Sequence, residues 1–233
     1  MHTDIGCSIG RVREIRLGAS GHVEVAIACQ AHAIPQAGQY VLAKEKDDRQ
    51  VVLSTLLYQV EKSNQGFWAT PLNEVSWSPG MGLDLAGPLG HGFDLPSNLQ
   101  RLGLVASGET VSRLLPLIRQ TSLSHTGVAL FTDLSVPVLP AAVEVYPLTS
   151  FKEALDWPDF LALDVPLTYL ERLRQELGLV NGAILPCPAQ VLVTTPLPCT
   201  GLAQCGACAI RSRRGWKLVC EDGPVFDLKS LSW

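Results

Sequence analysis

Four of the seven cysteines, Cys199, Cys205, Cys208 and Cys220, fall within 22 residues near the C-terminus, spaced C-x5-C-x2-C-x11-C. The segment reads PLPCTGLAQCGACAIRSRRGWKLVCEDGPVF, Pro196 to Phe226. No other feature constrains the fold as strongly. One tight loop has to present three thiols, and the fourth is predicted on a separate strand. Soft thiolates select zinc, Cu(I) or iron–sulfur clusters. The plant-type [2Fe–2S] pattern is C-x4-C-x2-C with a distant fourth cysteine; this chain has one residue more in the first gap. A [2Fe–2S] unit is larger than a single metal ion, and its sulfides accept hydrogen bonds from backbone N–H groups, so the backbone must wrap closely. Gly201, Ala203, Gly206 and Ala207 permit that approach. The segment has no histidine, and it has one CxxC where zinc sites more often pair two knuckles. The spacing favours a [2Fe–2S] cluster on Cys199, Cys205, Cys208 and Cys220, with zinc and unligated thiols as the alternatives.

Nearby residues have blander readings. Arg211, Arg213, Arg214 and Lys217 read as a solvated hairpin turn; their functional reading is charge compensation of the thiolates or docking of a redox partner. Cys187 stands between two prolines and outside the ligand spacing, so it reads as a buried structural thiol. Cys7 and Cys29 read as small apolar residues of a β-rich region.

Residues 11–95 have an all-β pattern. VREIRL (Val12–Leu17) and HVEVAIAC (His22–Cys29) flank GASG, a hairpin signal. Val23, Val25, Ile27 and Cys29 alternate, which predicts one face on a core. GQYVLA, QVVLSTLLYQV and GFWAT continue the series, as in a small barrel or sandwich. After Pro96 strands and helices alternate: LGLVAS, VALFTD, AVEVYP and FLALDV as strands, with a helix capped by Ser112, a short helix opened by the capping-box spacing of Ser150 and Glu153, and a helix over Pro166–Gly178. That alternation predicts a short parallel α/β layer. AQVLVTT and WKLVC then flank the cysteine loop as strands.

At 47% hydrophobic and 17% charged, the chain can fill packed cores, which excludes a disordered class. A net charge of −4 gives no electrostatic reason to bind nucleic acid. The N-terminus has no apolar signal region. Pro137, Pro140, Pro186 and Pro188 interrupt the apolar runs, so no membrane insertion is expected. The reading is a cytoplasmic protein, where clustered thiols act as ligands more often than as disulfides.

The cysteine loop, with VCEDGPVF (Val219–Phe226) after it, resembles the C-terminal cluster domain of the electron-transfer subunit of B-type dihydroorotate dehydrogenase, in the ferredoxin reductase superfamily. AGQYVLA (Ala37–Ala43) resembles the PGQF strand of that family, and AGPLGHGFDL (Ala86–Leu95) its GPLGNGF turn. The resemblance implies an α/β plus all-β fold in three parts: a ferredoxin-reductase-like, flavin-domain-like β-barrel over 1–97, a short parallel α/β nucleotide-domain-like region over 98–185, and a small [2Fe–2S] domain over 186–233. In the PLGHGF turn, His91 stands where the family has asparagine and reads as structural.

Two departures from the family bear on cofactors. Its flavin strand reads RPxS; here VVLS (Val51–Ser54) keeps the serine, so Ser54 is the flavin-binding candidate, but Val51 replaces the arginine that meets the phosphates. The following glycine-and-threonine phosphate turn is replaced by NEVSWSPG (Asn73–Gly80). Both changes weaken FAD binding. The family's GGGxGxAP nucleotide turn is ASGETVSR (Ala106–Arg113), which keeps only Gly108 and sets Glu109 where a pyrophosphate would lie, arguing against NAD.

The resemblance, with these departures, implies an electron-transfer subunit with no catalytic residue of its own. It would pass electrons through a [2Fe–2S] cluster to or from a partner flavoprotein, such as a dihydroorotate dehydrogenase catalytic chain of pyrimidine biosynthesis, in a hetero-oligomer. The rival readings are a zinc- or cluster-stabilised interaction module without redox turnover, and a complete FAD- and NAD(P)H-dependent reductase.

Overall fold

A computed structural model describes residues 6–19, 21–46, 54–122, 125–176, 185–195 and 205–232. The alternating first half closes into a barrel. Its strands are β1 (Cys7–Leu17), β2 (Val23–Ala28), β3 (Tyr40–Glu45), β4 (Thr55–Ser63), β5 (Gly66–Pro71) and β6 (Gly82–Leu89), in the order β1-β2-β5-β4-β3-β6. Every neighbouring pair is antiparallel. Val12, Val25, Ile27, Val41, Leu57, Phe67, Leu83 and Leu85 fill the interior. Burying each such large side chain contributes about 1.5–3 kcal/mol relative to exposure. Val25 and Ile27 follow the predicted alternation, whereas Val23 is 38% exposed. Val23 is the first residue of β2, beside the hairpin turn, where the barrel stops covering the strand. Gly66 has no substitute: an added Cβ would stand 1.9 Å from the Ile27 carbonyl oxygen.

The second half adds β7 (Arg101–Ala106), α1 (Leu115–Thr121), β8 (Gly127–Phe131), β9 (Val143–Tyr146), β10 (Phe160–Pro166), α2 (Leu170–Glu176), β11 (Ala189–Thr194), β12 (Ala209–Ser212), β13 (Gly215–Leu218), α3 (Val219–Asp222) and β14 (Val225–Asp227). Six of these strands form one sheet, ordered β14-β11-β10-β7-β8-β9. All its pairs are parallel except β11 with β14. The run FLALDV of β10 is buried throughout because both faces of a parallel sheet are covered. Leu161, Leu163 and Val165 enter the core beneath α2, and Phe160 and Ala162 enter the core beneath α1. At the edge, Glu144, Val145 and Tyr146 of β9 stay exposed. No helix among the described residues is long and apolar enough to cross a membrane.

Several local expectations need correction. Ser112 does not cap α1. It lies in a 3-10 turn, Ser112–Leu114, and Leu114 holds the cap position with no side-chain cap bond. The Ser112 hydroxyl has a stronger partner, donating to Glu24 Oε1 at 3.1 Å. The spacing of Ser150 and Glu153 makes no capping box either. Pro147 precedes a 3-10 turn over Leu148–Lys152 and Ser150 lies inside that turn, because Pro147 already fixes the extended entry. Cys220 belongs to the single helical turn α3 and not to a strand, since Asp222 Oδ2 accepts from the Leu218 N–H at 2.8 Å and closes the chain into a turn. The strand Ala189–Thr194, read with the cysteine segment, is hydrogen-bonded into the parallel sheet beside β10. Leu177 and Gly178, the predicted end of α2, lie outside the described residues.

Candidate metal centre

The cysteine segment folds around the short hairpin β12–β13. Cys208 directly precedes β12, and Cys220 lies one residue after Val219, which follows β13. Antiparallel pairing from Ala209↔Leu218 to Ser212↔Gly215 therefore returns the chain to where it left. The Val219 N–H donates to the Cys208 carbonyl at 3.1 Å and closes the base of the hairpin. The two sulfurs end 3.4 Å apart, and the Cys220 N–H points at Cys208 Sγ at 3.5 Å. Two thiolates on one tetrahedral metal, with bonds of about 2.3 Å, stand about 3.8 Å apart, so the pair fits two ligands of a single metal atom.

Cys205 stands on the turn before Cys208, exposed to solvent. That turn is closed by the Ala209 N–H on the Gly206 carbonyl at 3.1 Å, and Gly206 adopts φ +67, a conformation that suits glycine. Among the described residues no three His, Cys, Asp or Glu side chains converge as a metal site. Cys199 lies outside the described residues. Cys187 is buried in the α/β core, and burial pushes its thiol pKa up.

The pair packs on the apolar core. Cys208 is 6% exposed and packs with Ile210, Val219, Phe226 and Leu228, while Cys220 is half-buried against the same cluster. Burial and backbone N–H bonds to sulfur are the means by which a protein sets the potential of a thiolate-held cluster.

Sequence reasoning missed what braces Cys220. The Tyr40 hydroxyl of β3 donates to the Cys220 carbonyl at 3.1 Å. The His91 backbone N–H donates to Gly223 O at 2.7 Å, and its Nδ1–H donates to Asp222 O at 3.0 Å. A carbonyl only accepts, so this contact fixes the proton on Nδ1 when the ring is neutral. Gly90 sits at φ +75 with Pro224 so close that an added Cβ would be 2.4 Å from its Cδ. The barrel thus grips residues 220–224 directly. The signal was present as the motifs GQY and PLGHGF, but nothing in one sequence says which distant segment a turn will meet.

The turn after β7 is filled by the chain's own side chains. The Ser107 N–H donates to Asp164 O at 3.1 Å, and Thr110 Oγ1 accepts from the Ser112 N–H at 3.0 Å. Glu24, which binds the Ser112 hydroxyl, also pairs with Arg16 at 2.7 Å, and Arg16 lies 3.9 Å over the Trp68 ring. Arg113 turns inward. Its Nε donates to Asp164 Oδ2 at 2.8 Å, with the two side chains 2% and 1% exposed. Burial opposes the Arg113 charge, but the charge and hydrogen bond of Asp164 more than offset it, so its pKa lies above the ordinary value. Two N–H groups of the turn, those of Ser107 and Ser112, are thus already donated within the chain, and Glu109 adds a negative charge, so these residues fit a pyrophosphate poorly. In the flavin region Ser54 is half-buried just before β4, and Val51 lies outside the described residues. Val75 and Trp77, of the segment that stands in place of the phosphate turn, pack on the barrel core.

Residues 200–232 match the family described as the iron-sulfur cluster binding domain of dihydroorotate dehydrogenase B. No curated protein sequence matches the chain. Among solved structures, the NADH-dependent reduced ferredoxin-NADP oxidoreductase superposes with a TM-score of 0.69 at 16% identity, covering 96% of this chain and 90% of that one. The ferredoxin reductase in carbazole 1,9a-dioxygenase gives 0.57 at 19% identity, covering 76% of this chain and 65% of that one. The flavohem-like FAD/NAD binding domain of nitric oxide dioxygenase from Vibrio cholerae O1 biovar El Tor gives 0.57 at 11% identity, covering 81% and 99%. At these identities the likeness establishes the fold. The chain thus has a ferredoxin-reductase-like fold whose C-terminal segment is similar to the iron–sulfur cluster binding domain of dihydroorotate dehydrogenase B.

Proposed function

We propose that the chain is a cytoplasmic electron-transfer subunit that holds a [2Fe–2S] cluster on Cys199, Cys205, Cys208 and Cys220 and works in a hetero-oligomer with a flavoprotein, such as a dihydroorotate dehydrogenase catalytic chain. The observation that carries this reading is the 3.4 Å approach of Cys208 and Cys220 inside the matched segment. When bound, the cluster supplies one-electron transfer; the thiolates have no substrate chemistry of their own. The residues of this chain bury one side of the thiolate pair, direct the Cys220 N–H at Cys208 Sγ, and leave the Cys205 side open to a partner. The barrel over 1–97 and the α/β region over 98–185 serve as the brace for the segment 186–233, which shares its strands β11 and β14 with the sheet. FAD at Ser54 is weak or absent on this reading, and NAD is not bound at the Ala106–Arg113 turn.

The test is the absorbance of the protein as isolated. Broad visible bands that bleach with dithionite, and that disappear in Cys208→Ser, are the expected result. A colourless protein carrying zinc moves the assignment to an interaction module. Stoichiometric flavin fluorescence after denaturation, with bleaching by NADH alone, moves it to a complete reductase.

A further inference from the structure

The hairpin between Cys208 and Cys220 carries a surface that the cluster reading does not use. Residues 205–217 hold Arg211, Arg213, Arg214 and Lys217 and no carboxylate, in a chain of net charge −4. Alternation sorts the strand: Ile210 and Ser212 point inward, each 6% exposed, while Arg211 and Arg213 face solvent. Trp216 pairs across the hairpin with Arg211, and it is 73% exposed. A large aromatic left bare beside a guanidinium is the composition of an interface anchor.

The arm is rigid. The Ser212 hydroxyl donates to Gly215 O at 2.8 Å and ties the turn. The C-terminal segment runs along its other side, with the Arg213 N–H on Ser230 O and the Ser232 N–H on Arg211 O, both at 2.9 Å. Below the tip Arg213, Arg214, Lys217 and Lys229 line a cleft of about 320 Å³ whose one carboxylate is Asp227. Asp227 Oδ1 already accepts from the Lys229 N–H at 2.9 Å. With about 3.3 Å per strand residue, the charged tip reaches about 13 Å beyond Cys208.

We infer that the hairpin β12–β13 is a docking arm for an acidic face of a flavoprotein partner, with Trp216 as the contact anchor and Arg211, Arg213 and Arg214 as the steering charges. The kind of partner rests on the electron-transfer reading; the arm itself rests on exposure and charge. Electrostatic steering of this sort sets association rate and orientation, and it weakens as salt shortens the screening length.

The test titrates the whole chain with flavodoxin, a small acidic flavoprotein, as the probe, following binding by calorimetry at about 0.02 M and about 0.15 M salt. Saturable binding that weakens with salt is expected for the unaltered chain. Arg213→Glu/Arg214→Glu should weaken it about 10-fold or more at the lower salt, and Trp216→Ala about 10-fold at both. Circular dichroism checks that these surface variants remain folded. No binding by the unaltered chain, or binding indifferent to these substitutions, overturns the inference. So does inorganic pyrophosphate held by Arg213 and Arg214 while flavodoxin is ignored, which would make the cleft a small-anion site. The readout needs no redox turnover, so a colourless chain that still binds through the arm refutes the cluster and keeps the arm, and a coloured chain that does not bind refutes the arm alone.

Discussion

Arg113→Met tests what the buried ion pair beneath the Ala106–Arg113 turn contributes to stability. Arg113 and Asp164 are almost fully enclosed, and each keeps one atom, Nη2 and Oδ1, without a hydrogen-bond partner. Removing the guanidinium leaves Asp164 in the central strand β10 with its counter-charge gone, a loss of about 3–5 kcal/mol. Replacing both, as Arg113→Met with Asp164→Leu, removes the desolvation of two charges and the two unsatisfied atoms together. Such replacements range from neutral to about 1–4 kcal/mol stabilising. The arginine also lies 5.7 Å from the Tyr58 ring, a contact whose loss offsets part of that gain by about 0.5–1 kcal/mol. The double variant should therefore lie near the wild type in urea denaturation, and the single variant far below it. The pH dependence has a definite sign. Burial raises the Asp164 pKa, and without Arg113 nothing opposes the shift. A carboxyl whose folded pKa exceeds its unfolded value stabilises the fold below the unfolded value and loses that contribution as pH rises through the folded one. The Arg113→Met deficit should thus shrink toward acid pH. A single-variant loss below about 1 kcal/mol at neutral pH, or a double variant as unstable as the single, would falsify the reasoning.

Two further outcomes are expected. Burial pushes the Cys29 thiol up to about 11 from 9.0, so in metal-free protein at mildly alkaline pH Cys205 should react with iodoacetamide well before Cys29; equal rates would contradict the burial argument. The same shift means that the stability contributed by the neutral Cys29 thiol is complete below 9.0 and is lost as pH rises through about 11. Gly90→Ala puts a methyl 2.4 Å from Pro224 and 2.6 Å from Gly223 O at φ +75, so it should cost about 1–3 kcal/mol and loosen retention of whatever the cysteines bind, with wild-type stability and retention counting against the brace.

The barrel and the parallel sheet were legible because period-two alternation and buried apolar runs are local signals. Val25, Ile27 and the whole of β10 behave as their neighbours in sequence dictate. The caps were misread for the same reason. Ser112 and Ser150 have the right local spacing, but Glu24, which lies 88 residues away from Ser112, and the proline before the 3-10 turn decide what happens there. The pairing of Cys208 with Cys220 could be anticipated from spacing and residue type. The hold of Tyr40 and His91 on the Cys220 segment could not, because those contacts join residues 180 and 131 apart in the chain.

Those long-range contacts explain what the first two thirds of the chain contribute to a short cysteine segment. Residues 205–232 are too few to bury a core of their own; domains below about 40 residues generally need a metal, disulfides or a partner surface. Here the segment has two protein supports. β14 adds to the sheet beside β11, placing Val225 and Phe226 against Leu192 and Val191. From the other side β3 and the turn at Gly90 and His91 hold Cys220, Asp222 and Gly223 by their carbonyls. Both supports act on the chain beyond β13, and neither touches the tip of the β12–β13 arm. The fold therefore fixes the Cys220 end, where geometry at sulfur matters, and leaves exposed the end that carries Trp216 and the arginines. The barrel and sheet can brace the segment whether or not Ser54 meets a flavin, because the bracing contacts run through Tyr40, Gly90 and His91 on the barrel and through β11 on the sheet, and none of them involves Ser54 or the Ala106–Arg113 turn.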